Sequence, residues 1–135
     1  MALALALGPG APGRAATVVA VDPGFATVAS VLLRVFADRT GHELVLSVAP
    51  VPALEQTPAA VLLAPDAEMP ERLAEAGQAA ADTLMTYATD PESIAPRGAV
   101  LMQSGLHDPV ARAFLAFLLT PEAWDVIVAH GFGAH

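Results

Sequence analysis

Short, mostly apolar runs alternate with segments of helical period along this chain, and this alternation restricts the fold more than any other feature. Thr17–Val21, Glu43–Val48 and Ala60–Ala64 lack the regular polar and apolar alternation of a half-exposed strand. Phe25–Arg39 and Glu68–Ala80 instead place apolar residues at helical spacing. Continuous apolar strands that alternate with helices are typical of a parallel sheet covered on both faces.

Two further strands are predicted at Thr83–Tyr87 and Gly98–Gln103, separated by turn-rich residues, and a helical turn is predicted around Ala53–Gln56. No internal repeat or interdomain linker is visible within residues 17–132. The length of 135 residues is typical of one domain. We therefore expect one α/β lobe over residues 17–135, a three-layer α/β/α arrangement around a mostly parallel five-stranded sheet.

The run Val110–Phe132 predicts two short helices. Thr120-Pro121-Glu122 restarts the helix, with threonine as N-cap, proline at the first helical position and glutamate in the first turn. Gly131 ends the second helix. The apolar residues of both helices fall at helical spacing, which places five of them in the core: Phe114, Phe117, Leu118, Trp124 and Ile127.

Composition excludes several classes of protein and partner. Hydrophobic residues make up 55% of the chain and charged residues 15%, so most of the chain is not disordered. The net charge of −8, from six arginines, no lysine and 14 acidic residues, argues against nucleic acid and anionic membranes as partners. The chain contains no cysteine, which excludes disulfides and fits an exported bacterial protein.

Residues 1–16, MALALALGPGAPGRAA, form a separate segment of low complexity. They resemble the later part of a secretory signal peptide: a short apolar stretch, a helix-breaking Gly-Pro, and Gly13-Arg14-Ala15 as a cleavage-like triplet. A basic segment before the apolar stretch is missing, so a disordered Ala/Gly/Pro tail explains these residues equally well. The first reading predicts an exported or periplasmic protein.

The chain offers no pattern that indicates catalysis or metal binding. Ser104, His107 and Asp108 lie close in sequence but lack a nucleophile elbow or an oxyanion-hole motif, and a helix N-cap at Asp108 before Pro109 explains them better. The four histidines share no ligand spacing. We expect a protein that is not an enzyme, with no catalytic residues, no metal and no cofactor.

Several segments in order resemble the family of periplasmic molybdate-binding proteins, the solute-binding components of ABC importers. The likeness covers most of residues 17–132 and is most specific in Thr86-Tyr87-Ala88-Thr89-Asp90 and in the C-terminal helix pair with its Thr-Pro-Glu-Ala restart and terminal Gly-Phe. The strand and loop at Leu44–Leu54 and the segment PAAVLLAPDAE add weaker matches. The resemblance implies a periplasmic-binding-protein fold, molybdate or tungstate as ligand, and an ABC-importer permease as partner.

The sequence departs from the family in two respects. The family has two lobes with the anion between them, whereas here Ala80 runs almost directly into the tyrosine-bearing strand, so about one lobe remains. The positions of the family's anion-holding serines correspond approximately to Pro23 and to Pro50–Pro52, and Asp22 is expected to cap the helix where the anion would lie. The remaining candidate ligand donors are the amides of Gly24, Phe25 and Val51 and the hydroxyls of Thr27 and Tyr87.

Two functions follow from these observations. The first is a shortened solute-binding component of an ABC importer, of the molybdate or oxyanion type, with a degraded anion site. The alternative is a single-lobe interaction or dimerisation module that binds no ligand and associates through its exposed cleft face, where the loss of the opposite lobe leaves an apolar, proline-rich rim.

Overall fold

The computed structural model describes residues 16–133, so the predicted signal-peptide-like segment lies, except for Ala16, outside the described residues. Five strands occur in chain order: β1 Thr17–Val21, β2 Leu44–Val48, β3 Val61–Leu63, β4 Met85–Thr89 and β5 Pro96–Leu101. Five α-helices lie between and after them: α1 Ala26–Thr40, α2 Val51–Leu54, α3 Glu68–Glu75, α4 Pro109–Phe117 and α5 Pro121–Ala129. Short 3₁₀ turns cover Pro23–Phe25, Ala81–Thr83 and Gln103–Gly105.

The five strands form one sheet in the order β2-β1-β3-β5-β4. β1 pairs in parallel with β2 and β3, whereas β5 is antiparallel to both β3 and β4. The α/β class and the five strands are confirmed, but the sheet is mixed because β5 opposes the other four strands. The reason is the connection: the loop between Thr89 and Pro96 is too short for a crossover, which needs about a dozen residues.

Two apolar cores lie on opposite faces of the sheet. One contains buried residues of α1, α4 and α5, and the other contains buried residues of α2 and α3. β1 contributes to both, since Val19 and Val21 face the first core and Ala20 faces the second. A strand buried on both faces has few positions for polar residues, which explains the mostly apolar runs.

Element ends follow local backbone chemistry. α1 ends where Gly41 adopts the left-handed conformation (φ 79°) and its N–H donates to the Ala37 carbonyl at 2.8 Å. α3 ends at Glu75 rather than at the predicted Ala80, shortly before the left-handed Gly77. The predicted strands Thr83–Tyr87 and Gly98–Gln103 are each displaced by about two residues from β4 and β5.

The two C-terminal helices begin at the predicted caps. The Thr120 hydroxyl accepts from the Ala123 N–H at the start of α5, and Asp108 caps α4. Phe114, Phe117, Leu118 and Ile127 are buried as predicted, but Trp124 is 37% exposed, so its assignment to the core was wrong. Ala123 and Ile127 occupy the inner face of α5, one helical turn apart, and Trp124 is rotated about 100° from Ala123 around the helix axis.

No helix within residues 16–133 combines the length and the apolar character that crossing a membrane would require.

Candidate functional site

A buried ion pair lies at the end of the sheet where the parallel strands β1, β2 and β3 terminate. Asp22 directly follows β1, and Arg97 is the second residue of β5, which starts at this end because it runs in the opposite direction. The Arg97 Nη2 donates to Asp22 Oδ1 at 2.5 Å. Asp22 is 5% exposed and Arg97 is 3% exposed, so both charges are almost completely removed from water.

The other carboxylate oxygen of Asp22 is bound by the backbone. The Gly24 N–H donates to Asp22 Oδ2 at 3.1 Å, which makes Asp22 the cap of the 3₁₀ turn that leads into α1. The carboxylate is therefore held by one amide at the start of a helix and by one guanidinium group. Together these two donors form an anion receptor, and the chain's own carboxylate fills it.

Arg97 is further enclosed by aromatic residues. Its Nε donates to the Tyr87 hydroxyl at 3.0 Å, and that hydroxyl donates to the Ala64 carbonyl at 2.9 Å. The rings of Phe25, Phe132 and Tyr87 have their centroids 5.2, 5.6 and 6.0 Å from the guanidinium carbon. Ring faces at these distances attract the cation and compensate part of its lost hydration.

These contacts determine the protonation states of the cluster. Burial raises the pKa of Tyr87 well above its usual value, against the opposing effect of the Arg97 charge. Burial acts to lower the pKa of Arg97, but its interactions with Tyr87 and Asp22 outweigh burial, so the pKa is raised. At neutral pH the cluster therefore contains a charged arginine and a neutral tyrosine.

Asp90 lies beside the ion pair, at the rim of the site. Its Oδ2 lies 3.9 Å from Arg97 Nη1, and its Oδ1 accepts from the N–H groups of Glu92 and Ser93 at 2.9 and 3.2 Å. These two backbone hydrogen bonds, with a smaller contribution from Arg97, lower the pKa of Asp90. Arg97 thus meets one carboxylate in the interior and a second at the surface.

The structure brings three of the five predicted ligand donors around the Asp22–Arg97 pair. The Gly24 N–H binds the Asp22 carboxylate, the Phe25 N–H donates to the Asp22 carbonyl at 3.2 Å, and the Tyr87 hydroxyl is fully engaged. Thr27 and Val51 are exposed, in the first turn of α1 and at the start of α2. A role of any of the five in ligand binding stays a prediction.

Sequence reasoning missed Arg97, the residue around which the cluster is built. One signal was available: Arg97 is a charged residue in the otherwise apolar run Pro96–Leu101. An arginine inside a buried strand needs a partner of opposite charge, and an aspartate at the end of another strand is a natural candidate.

Ser104 and Asp108 form hydrogen bonds that have a structural role. The Ser104 hydroxyl donates to the Ala59 carbonyl at 2.7 Å, and His107 is exposed. Asp108 caps α4 through Oδ1, while its Oδ2 accepts from the Thr17 hydroxyl at 2.6 Å. Within the described residues, no three histidine, aspartate or glutamate side chains are grouped so that they could hold a metal ion.

No protein-family model matches the sequence. No curated protein matches it either. Solved structures do match. The periplasmic molybdate-binding protein of Azotobacter vinelandii is 15% identical, with a TM-score of 0.80 over 88% of this chain and 99% of that chain.

Two further structures extend the comparison. A substrate-binding domain assigned to a molybdenum ABC transporter of Clostridium difficile is 7% identical, with a TM-score of 0.78 over 88% of this chain and 98% of that chain. Iron-bound HitA from Pseudomonas aeruginosa is 12% identical, with a TM-score of 0.65 over 90% of this chain and 89% of that chain. The predicted likeness to periplasmic molybdate-binding proteins is thus confirmed for the fold. These neighbours are named for different ligands, molybdate and iron among them, so the fold alone does not identify a ligand for this chain.

Proposed function

We propose that this chain is a shortened solute-binding component of an ABC importer, of the molybdate or tungstate type, whose anion site is degraded. The fold is that of proteins with this role, and the Asp22–Arg97 cluster lies at the carboxyl ends of the parallel strands, where α/β sheets bind their ligands. The proposal includes an exported location, an importer permease as protein partner and no catalytic activity.

The observation that carries the proposal is the position of the Asp22 carboxylate. A tetrahedral oxyanion would need the amides that begin α1 and any nearby cation. Asp22 already accepts from the Gly24 N–H and from Arg97, and it adds a negative charge that repels a second anion. We therefore expect the protein to bind oxyanions with a dissociation constant no tighter than tens of micromolar, or not measurably.

Isothermal calorimetry on the purified chain with molybdate, tungstate and sulfate tests this expectation. The double substitution Asp22→Ala and Pro23→Ser removes the internal carboxylate and adds a hydroxyl donor, so binding should become measurable or stronger. Tyr87→Phe in that background should weaken binding, because the Tyr87 hydroxyl positions Arg97.

Asp66→Ala is the matched control. Asp66 closely follows β3, and its Oδ1 accepts from the Met69 N–H at the start of α3. The substitution therefore removes the same charge from the start of another helix and leaves Arg97 unchanged. Binding should stay as weak as in the unmodified chain. A submicromolar constant for the unmodified chain would refute the degraded site. No binding by the double variant would show that the Asp22 carboxylate is not what prevents oxyanion binding.

Exposed apolar residues favour a second candidate function, an interaction module without ligand. We define the cleft face as the exposed apolar residues near the carboxyl ends of the parallel strands: Val48, Val51 and Ile94. Ile94 is the most exposed of the three, at 77%. An apolar patch of this kind often marks a protein interface. Self-association that Ile94→Lys abolishes, without any melting shift on adding molybdate, would support this candidate over the first.

A further inference from the structure

The two edges of the sheet differ in how their free backbone groups are protected. At the β4 edge, the pairing of β4 with β5 shifts register between Thr86 and Ala88. The last residue of β4, Thr89, also forms two backbone hydrogen bonds with Gly133, at 2.8 and 3.0 Å, so its free backbone groups are covered. Register irregularities and covering segments prevent a strand from another molecule from pairing with an edge.

The β2 edge has none of these protections within the described residues. Leu44–Val48 pairs with β1 in unbroken register, and the strand contains no proline and no charged residue. Val45, its second residue, is 48% exposed. A regular, apolar edge strand of this kind favours pairing with a strand of another molecule.

A groove of about 320 Å³ lies beside this edge, between α1 and β2. Its apolar lining includes Leu33, Ala37, Leu44 and Leu46, and its charged lining is Arg34 and Glu43. A partner strand added to β2 would cover the apolar part of this groove and remove it from water.

Arg34 indicates which partner fits. Every other arginine in residues 16–133 has a partner: Arg39 bonds Glu122, Arg72 bonds Glu55, Arg97 bonds Asp22, and Arg112 bonds the Leu106 carbonyl. Arg34 and Glu43 have neither a hydrogen bond nor an ion pair within the described part of the chain. One surface therefore offers both an unpaired cation and an unpaired carboxylate.

We propose that the chain forms a two-fold symmetric dimer in which β2 pairs antiparallel with β2 of a second copy. A two-fold interface brings the same patch of both copies together, so Arg34 of one copy can approach Glu43 of the partner subunit. Two chains of net charge −8 repel each other over most of their surfaces, whereas this patch is electrically self-complementary. The two sheets then form one continuous sheet, and Ile94, in the loop between β4 and β5 at the opposite side of the sheet, stays outside the interface.

Sedimentation velocity of the full chain, over a wide range of concentrations, tests the proposal. The unmodified protein should sediment with twice the mass of one chain. Val45→Lys should give a monomer, because an edge lysine opposes strand pairing. Ile94→Lys is the matched control, since it places the same charge on a more exposed apolar residue of the cleft face and should leave the dimer intact.

Charge reversal provides a second measurement that does not depend on altering the strand. Arg34→Glu and Glu43→Arg should each raise the dimer dissociation constant about tenfold or more, and the two together should restore most of the affinity. Thermal unfolding followed by circular dichroism verifies that each variant folds. A monomeric unmodified chain, a dimer that survives Val45→Lys, or a dimer lost with Ile94→Lys would each overturn the proposal.

Discussion

The guanidinium group of Arg97 and the carboxylate of Asp22 meet at 2.5 Å although the two residues lie 75 positions apart in the sequence. Both are more than nine-tenths buried, and each compensates a charge that would otherwise be buried alone. The pair links the end of β1 to the start of β5 across β3, which lies between them in the sheet. It therefore ties together the part of the sheet that carries the candidate site.

Removing one partner of this pair should be costly. Arg97→Met keeps an apolar stem of similar length but leaves Asp22 buried with one backbone hydrogen bond, so we expect a loss of about 3–5 kcal/mol in the free energy of unfolding. Urea denaturation followed by circular dichroism measures it.

The double variant Asp22→Asn and Arg97→Met is the control for that prediction. It removes both charges, and the asparagine can still accept from the Gly24 N–H, so it should be more stable than Arg97→Met alone. Additive effects of the two substitutions, or a loss below about 1 kcal/mol for Arg97→Met, would show that the pair behaves like an exposed ion pair.

Leu118 and Leu119 provide a matched test of the C-terminal helices. Leu118 is fully buried, whereas its neighbour Leu119 is 49% exposed. Leu118→Ala should lower the free energy of unfolding by about 2–5 kcal/mol because it leaves a cavity, while Leu119→Ala should cost less than about 1 kcal/mol. Chemical denaturation of both variants measures the difference. Equal losses would contradict the burial of Leu118 at the C-terminal end of α4.

Tyr87 is the single tyrosine of the chain, so its ionisation can be followed directly. Its pKa is raised in the folded state, so its burial contributes stability that is fully present below the ordinary pKa of about 10 and is lost as the pH rises above it. Tyrosinate absorbance should therefore appear only together with the loss of helical circular dichroism. Ionisation near pH 10 with the fold intact would contradict the buried hydroxyl.

Asp108 should contribute to stability through two separate hydrogen-bonding roles. Asp108→Ala removes the cap of α4 and the acceptor of the Thr17 hydroxyl, so we expect a loss of about 1–2 kcal/mol. Asp125→Ala, which removes the same charge from an exposed position of α5, should change the unfolding free energy by less than about 0.5 kcal/mol. Similar losses for both variants would indicate a general charge effect, and urea denaturation separates the two cases.

Features that depend on neighbouring residues were predictable. The strands Thr17–Val21 and Leu44–Val48, the first helix and the caps at Asp108 and Thr120 follow from apolar spacing and from side chains that bond nearby amides. Asp22 was likewise expected to cap the helix that follows it, and its carboxylate does accept the Gly24 N–H. Each of these features depends on residues that lie close together in the sequence.

The tertiary structure alone decided three further features: the insertion of β5 between β3 and β4, the outward position of Trp124, and the meeting of Arg97 with Asp22. Each depends on which elements become neighbours in space, and periodicity within a segment carries no information about strand order. The sequence by itself determined the layers, most of the elements and the helix caps. The long-range pairing determined the charge balance of the candidate site, because a buried charge is stable only when the fold brings its partner to it.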